Sequence, residues 1–282
     1  MELELKRGGR TARVETLGGE LVSYRDERGL EYIWGGDPAY WPGRNPLLFP
    51  IVGMLKEGKI RFDGREYAME RHGFARRREF TPAARGEDWV RLELRESAET
   101  LALYPYPFRL AVEQRLTDTG FSTAVTVANP GEGPLPFCLG AHTGFRCPLE
   151  AGERFEDYEL VFPERESCPT LLLRDGLLDR PAALPCLEDT DTLPLDYRWF
   201  DALDTLIFEG LRSRSVALRS RKSGRGVRVS FDGFPMLAFW TMPGKKAPYL
   251  CIEPWHGCAA GTAEGPEFTD KAHCIVLAPG ES

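Results

Sequence analysis

Glu253 stands between Ile252 and Pro254, at the end of the apolar run Tyr249-Leu250-Cys251-Ile252. A carboxylate delivered by an apolar strand is costly unless it is paired or used, and partial burial raises its pKa toward the value a general base needs near neutrality. An ion pair with one of the many arginines would account for it equally well. His142 is the natural proton donor in the same pH range. It lies in Gly140-Ala141-His142-Thr143-Gly144-Phe145, where glycines let the chain approach a ligand and Phe145 is spaced to supply an apolar wall. A hydrogen-bonded structural histidine fits that pattern too, and the same two readings apply to His72 in Arg71-His72-Gly73-Phe74-Ala75-Arg76.

Arg71, Arg76, Arg77 and Arg78 make the densest basic cluster. Such a cluster is either a solvated face or a grip on sugar hydroxyls or a phosphate, which a guanidinium holds in fork geometry. Trp41, Trp240 and Trp255 are candidate platforms for the apolar face of a pyranose, or core residues. The seven cysteines show no CxxC pair, and most are read as buried thiols. A zinc site drawn from Cys138, His142, Cys251, His256 and Cys258 would have spacings unlike any standard structural pattern, so no metal is expected.

These groups need elements to position them. The 282 residues suit one large β-sandwich, expected as a single domain over residues 1–282. Short segments of β composition separated by turn signals recur throughout, and helical periodicity is scarce, so the chain reads as all-β. Asp63-Gly64 predicts a tight hairpin, as do Thr117-Asp118-Thr119-Gly120 between Arg109–Leu116 and Phe121–Val127, and Ser223-Gly224-Arg225-Gly226 between Val216–Arg219 and Val227–Phe231. Val227, Val229 and Phe231 alternate with Arg228 and Ser230, one face toward a core and one toward solvent. From Pro163 to Asp196 the pattern dissolves and a long connection is expected.

The formal charge of −7, from 43 acidic and 36 basic residues with the signs interspersed, argues against nucleic acid or an anionic membrane as partner. The start carries no signal-like apolar stretch and no run suits a membrane helix, so a cytoplasmic protein is expected. An exposed strand edge would leave a homodimer open.

Taken in order, Arg44-Asn45-Pro46-Leu47-Leu48-Phe49-Pro50-Ile51-Val52-Gly53, His72-Gly73-Phe74-Ala75-Arg76, Gly140 to Phe145, Asp204-Thr205-Leu206-Ile207-Phe208 and Ile252 to Gly257 resemble the aldose 1-epimerase (galactose mutarotase-like) family, most closely its LacX-like branch. The resemblance implies a large antiparallel β-supersandwich with an open cleft, and interconversion of the α and β anomers of an aldohexose without a cofactor. It implies Glu253 as base on the anomeric hydroxyl and His142 as acid on the ring oxygen. His72 and Arg44 would hold the sugar and Asp204 would hydrogen-bond it, with Arg76 in the same motif. A hexose 6-phosphate mutarotase, favoured by Arg71, Arg76 and Arg146, and a non-catalytic sugar-binding protein using the same cleft are the alternatives. Thr143 and Arg146 depart from the family pattern, and Arg146 is expected to bring positive charge to the cleft rim. Relatives normally continue into a final strand where this sequence stops at Ser282, so the end is expected to be truncated or divergent.

Overall fold

The computed structural model describes residues 1–282, built almost wholly from antiparallel strands. Its largest sheet has ten strands. In spatial order Gly226–Ser230, Ser215–Ser220, Tyr158–Arg174, Thr205–Glu209, Met236–Trp240, Tyr249–His256, Leu139–Ala141 and Leu47–Leu48 lie side by side, with Thr143–Arg146 also on Tyr249–His256 and Leu177–Pro194 on Tyr158–Arg174. A four-stranded sheet (Thr81–Arg85, Trp89–Arg95, Arg109–Leu116, Phe121–Ala128) and a three-stranded sheet (Glu2–Arg7, Arg10–Glu15, Glu20–Arg25) complete the sandwich with two small pairs.

Period-two burial is the physical cause. In Trp89–Arg95, Val90, Leu92 and Leu94 are buried and their neighbours are not, and Glu2–Arg7 buries Leu3 and Leu5 in the same way. One continuous cluster runs from Leu3 through Val112 and Phe145 to Phe268, so the sheets share a core. Tyr249–His256 is different. It buries all but its last residue, as a strand covered on both faces must.

The three hairpins signalled by the sequence are present, joining Lys59–Phe62 to Arg65–Ala68, Arg109–Leu116 to Phe121–Ala128, and Ser215–Ser220 to Gly226–Ser230. Half-buried Val227 and Val229 alternate with exposed Arg228 and Ser230 as expected.

Pro163–Asp196 corrects the sequence reading. It is no loop but most of a hairpin of two long strands, Tyr158–Arg174 and Leu177–Pro194, turned at Asp175-Gly176. Pro163, Pro169, Pro181 and Pro185 break the alternation that would betray a strand, and the ladder absorbs them through successive register shifts between Val161 and Leu172. A last short strand, Ile275–Leu277, pairs with Leu135–Phe137. No helix is long and apolar enough to cross a membrane.

Candidate active site

Gly140 pairs with Trp255 and Thr143 with Ile252, one unshifted register on either side of His142. His142 therefore falls opposite Glu253, where cross-strand side chains meet. His142 Nε2 lies 3.3 Å from Glu253 Oε1. Both groups are deeply buried, His142 at 8% and Glu253 at 1% exposure. On the other flank Glu253 is paired with Ala238, whose small side chain leaves the carboxyl room.

The pair lies in a cleft of about 640 Å³ that is also lined by His72, Arg71, Arg76, Asp204, Trp41, Trp240 and Trp255. Of the residues singled out from the sequence, Glu253, His142, His72, Asp204, Arg76 and Trp255 are thus gathered together. Arg44 is not among them. Its guanidinium donates to the Gly35 carbonyl at 3.1 Å and pairs with Glu15 at 3.3 Å, outside the cleft lining. Arg146 is exposed and also outside the lining, where the cleft's positive charge comes from Arg71 and Arg76.

Phe145 is displaced from its expected place as well: it is buried and lines a cavity on the reverse face of the sheet. The glycines around His142 serve a different purpose from close approach to a ligand. A Cβ on Gly140 would meet Trp255 Cδ1 at 2.9 Å, and one on Gly144 would meet Trp41 Cζ3 at 3.0 Å. They make room for two of the three tryptophans that wall the cleft. Trp41 lies tilted over the His142 ring, centroids 4.8 Å apart, and Trp240 meets it edge-on at 5.7 Å.

Burial pushes Glu253 well above the usual carboxylate range; the Trp255 indole acts against this and the nearby Asp204 carboxylate adds to it. Burial likewise lowers His142 to about 3, with Arg76 and Arg71 contributing in the same direction. His72 is lowered chiefly by burial and then by His142 and the two arginines. Its Nδ1 accepts a hydrogen bond from the Gly53 N–H at 3.1 Å, so the neutral ring carries its proton on Nε2 and can donate from there. Asp204 caps the helix Tyr197–Leu203 at φ 62°, and His72 has φ 67°. With Asp175 at φ 52°, three non-glycine residues of positive φ meet at one cleft, which points to strain held for a purpose.

Several buried polar atoms in the cleft have no protein partner: Glu253 Oε2, His142 Nδ1, Trp255 Nε1 and Arg76 Nε. Unpaired buried groups are rare in folded proteins, and their convergence here suits a polyhydroxylated ligand. His142, Cys251 and Glu253 also offer one ligand atom each within 4.8 Å of one another, a metal-capable trio that shares His142 and Cys251 with the zinc set drawn from the sequence. Burial raises the Cys251 thiol well above its ordinary range, and the Glu253 carboxylate adds to it.

Sequence reasoning missed the hairpin tip. Leu173, Asp175 and Gly176 line the cleft, as do Met54, Thr205 and Met242. The Asp175-Gly176 pair was the available signal, a turn dipeptide inside a stretch taken for a loop.

The family model for aldose 1-epimerase matches residues 1–282. The plasmid-encoded Protein LacX of Lactococcus lactis subsp. lactis is 41% identical over 287 residues, covering 99% of this chain and 95% of that protein. Among solved structures, a galactose mutarotase related enzyme from Lactobacillus acidophilus matches with TM-score 0.95 at 28% identity, over 100% of this chain and 94% of the other. A galactose mutarotase-like protein from Lactobacillus casei ATCC 334 matches with TM-score 0.90 at 28% identity, over 99% and 96%. The β-sandwich and these relationships make the protein an isomerase of the mutarotase class. The chain belongs to the aldose 1-epimerase family.

Proposed function

We propose that the protein interconverts the α and β anomers of an aldohexose, with Glu253 as base and His142 as acid. The observation that carries this reading is the 3.3 Å approach of His142 Nε2 to Glu253 Oε1 on the cleft wall. The anomeric hydroxyl and the ring oxygen of a pyranose share one carbon, so a base for the first and an acid for the second have to be near neighbours.

In the forward step Glu253 takes the proton of the anomeric hydroxyl, the bond from C1 to the ring oxygen breaks, and the ring oxygen takes a proton from His142. The product is the open-chain aldehyde. Rotation about C1–C2 presents its other face, and the reverse transfers close the opposite anomer and restore both groups. His72 Nε2–H, Asp204 and Arg76 would hold the hydroxyls, and the tryptophans the apolar sugar face. Walls of indole exclude water from the exposed proton transfers.

A second reading, a sugar phosphate as substrate, is favoured by Arg71 and Arg76. Both line the cleft and neither has a carboxylate partner; Arg71 donates to the Met54 sulfur and Arg76 to the Arg71 carbonyl. Exchange NMR of anomeric protons on glucose, galactose and glucose 6-phosphate separates the two. Enhanced exchange by the wild type that is lost in Glu253→Gln supports the assignment, and a Glu253→Gln protein with full activity overturns it. A preference for glucose 6-phosphate that disappears in Arg71→Ala selects the phosphorylated substrate. Saturable sugar binding with no enhanced exchange would favour the binding protein.

A further inference from the structure

A second cavity, of about 830 Å³, opens on the other side of the strand that carries Glu253. Ala141 and Thr143 line it on either side of His142, and Pro254 lines it next to Glu253, because successive residues along a strand face opposite ways. It is therefore back to back with the cleft, separated by one layer of backbone.

Its walls have a distinct chemistry. Tyr24 lies between Tyr32 and Phe121, with ring centroids 5.5 and 5.3 Å away, and all three line the cavity. Charges there balance, Arg10 and Arg228 against Asp26 and Glu27. Arg10 pairs with Glu27 at 3.0 Å, and the Tyr32 hydroxyl donates to Asp26 at 3.2 Å. The remaining polar lining is made largely of hydroxyls and two amides. Gln114, 2% exposed, donates to the Gly19 carbonyl and accepts from Thr123. Asn45 Oδ1 accepts from Thr143 Oγ1 at 2.6 Å, which leaves the Asn45 amide N–H groups without a protein acceptor.

We propose that this cavity is a second carbohydrate site, taking a neutral saccharide. The half-buried Tyr32 and Phe121 rings offer surfaces to the C–H face of a pyranose, while the Asn45 amide and the lining hydroxyls exchange hydrogen bonds with its hydroxyls. The balanced charges give no advantage to a phosphate or an ammonium group, in contrast to the unpaired arginines of the cleft. The occupant would touch the immediate chain neighbours of His142 and Glu253 without entering the cleft.

The two cavities carry different reporters. Tyr24 and Tyr32 line the second cavity and no tryptophan does, whereas Trp41, Trp240 and Trp255 line the cleft and no tyrosine does. Fluorine NMR of the full chain labelled with fluorotyrosine, and separately with fluorotryptophan, therefore distinguishes them. The probes are methyl glucosides, methyl galactosides and sucrose, none of which has a free anomeric hydroxyl to be turned over. Tyr24→Phe and Tyr32→Phe assign the signals. The expected result is a saturable shift of the Tyr24 and Tyr32 resonances by at least one probe, half-complete at about 1–10 mM. That shift should vanish in Ser122→Trp, a substitution at an exposed lining position that fills the mouth, while anomer exchange by the variant without glycoside stays near wild type. The proposal is overturned if only the tryptophan signals respond, if the tyrosine shifts rise linearly to about 50 mM, or if they persist in Ser122→Trp.

Discussion

His142 Nε2 and Glu253 Oε1 lie 3.3 Å apart because the two strands hold one register on both sides of His142. Burial raises the carboxyl and lowers the imidazole, which favours the uncharged pair with its shared proton on Glu253. The form used in the proposed mechanism, carboxylate and imidazolium, contains the same number of protons. It differs only in where the proton sits, and the two groups titrate as a unit.

The pH dependence of kcat/KM follows from that count. Below about 3, His142 binds a second proton and the base is lost; above the raised value of Glu253 the pair loses its last proton and the acid is lost. The expected profile has no acid limb at the ordinary histidine value; it falls below about pH 3 and, on the alkaline side, above the raised value of Glu253. An acid limb near the ordinary histidine value of 6.5 would contradict it.

Replacing Glu253 by Gln should lower anomer exchange by about 10²–10⁴. It should also stabilise the protein, in a pH-dependent way. A carboxyl raised by folding gives stability that is full below its ordinary 4.5 and lost as pH rises toward the folded value. The uncharged amide of the variant is free of that loss. Thermal melting should show Glu253→Gln gaining over wild type above pH 4.5, by roughly 2–4 °C for each kcal/mol. Parallel melting curves at every pH would show that the carboxyl is not held up by burial.

Trp41 covers the His142 ring, and its removal admits water to the imidazole. In Trp41→Ala the acid limb of kcat/KM should move up from about 3 toward 6.5. Exchange at neutral pH should fall about tenfold or more, since the ring also loses a fixed orientation. A loss of activity with an unmoved pH profile would make Trp41 a sugar platform alone.

Gly144→Ala tests the same contact from behind. Its Cβ would lie 3.0 Å from Trp41, 3.1 Å from Trp34 and 3.2 Å from the Arg44 carbonyl, a backbone atom that cannot swing aside. A destabilisation of about 1–3 kcal/mol in urea denaturation is expected, together with reduced exchange. Wild-type stability would mean that the indoles repack freely.

The hairpin tip should govern substrate binding more than chemistry. Gly176 has φ 78°, and a Cβ there would meet Met54 Sδ at 2.5 Å and Arg71 at 3.4 Å. Gly176→Ala should raise KM several-fold with a smaller change in kcat, measured by anomer exchange over a range of sugar concentrations. A fall in kcat at constant KM would place the tip's influence on the pair instead.

Much of this site was legible in the chain. An ionisable residue closing an apolar run, a histidine among glycines and turn pairs between alternating segments gave the β architecture and marked Glu253, His142, His72 and Trp255 as candidates, each with a structural reading left open until the family resemblance supplied a role, because local composition records what a strand must bury and where it must turn. Local composition does not record partners far along the chain. That His142 meets Glu253 across a ladder, that Phe145 turns to the reverse face, that Arg44 is held by Glu15 and Gly35, and that Asp175 overhangs the cleft at the tip of a proline-interrupted hairpin were decided only by strand register and sheet order. A one-residue change of register exchanges the two faces of a strand, and residues far apart in the chain come together or not according to pairings that no local window contains.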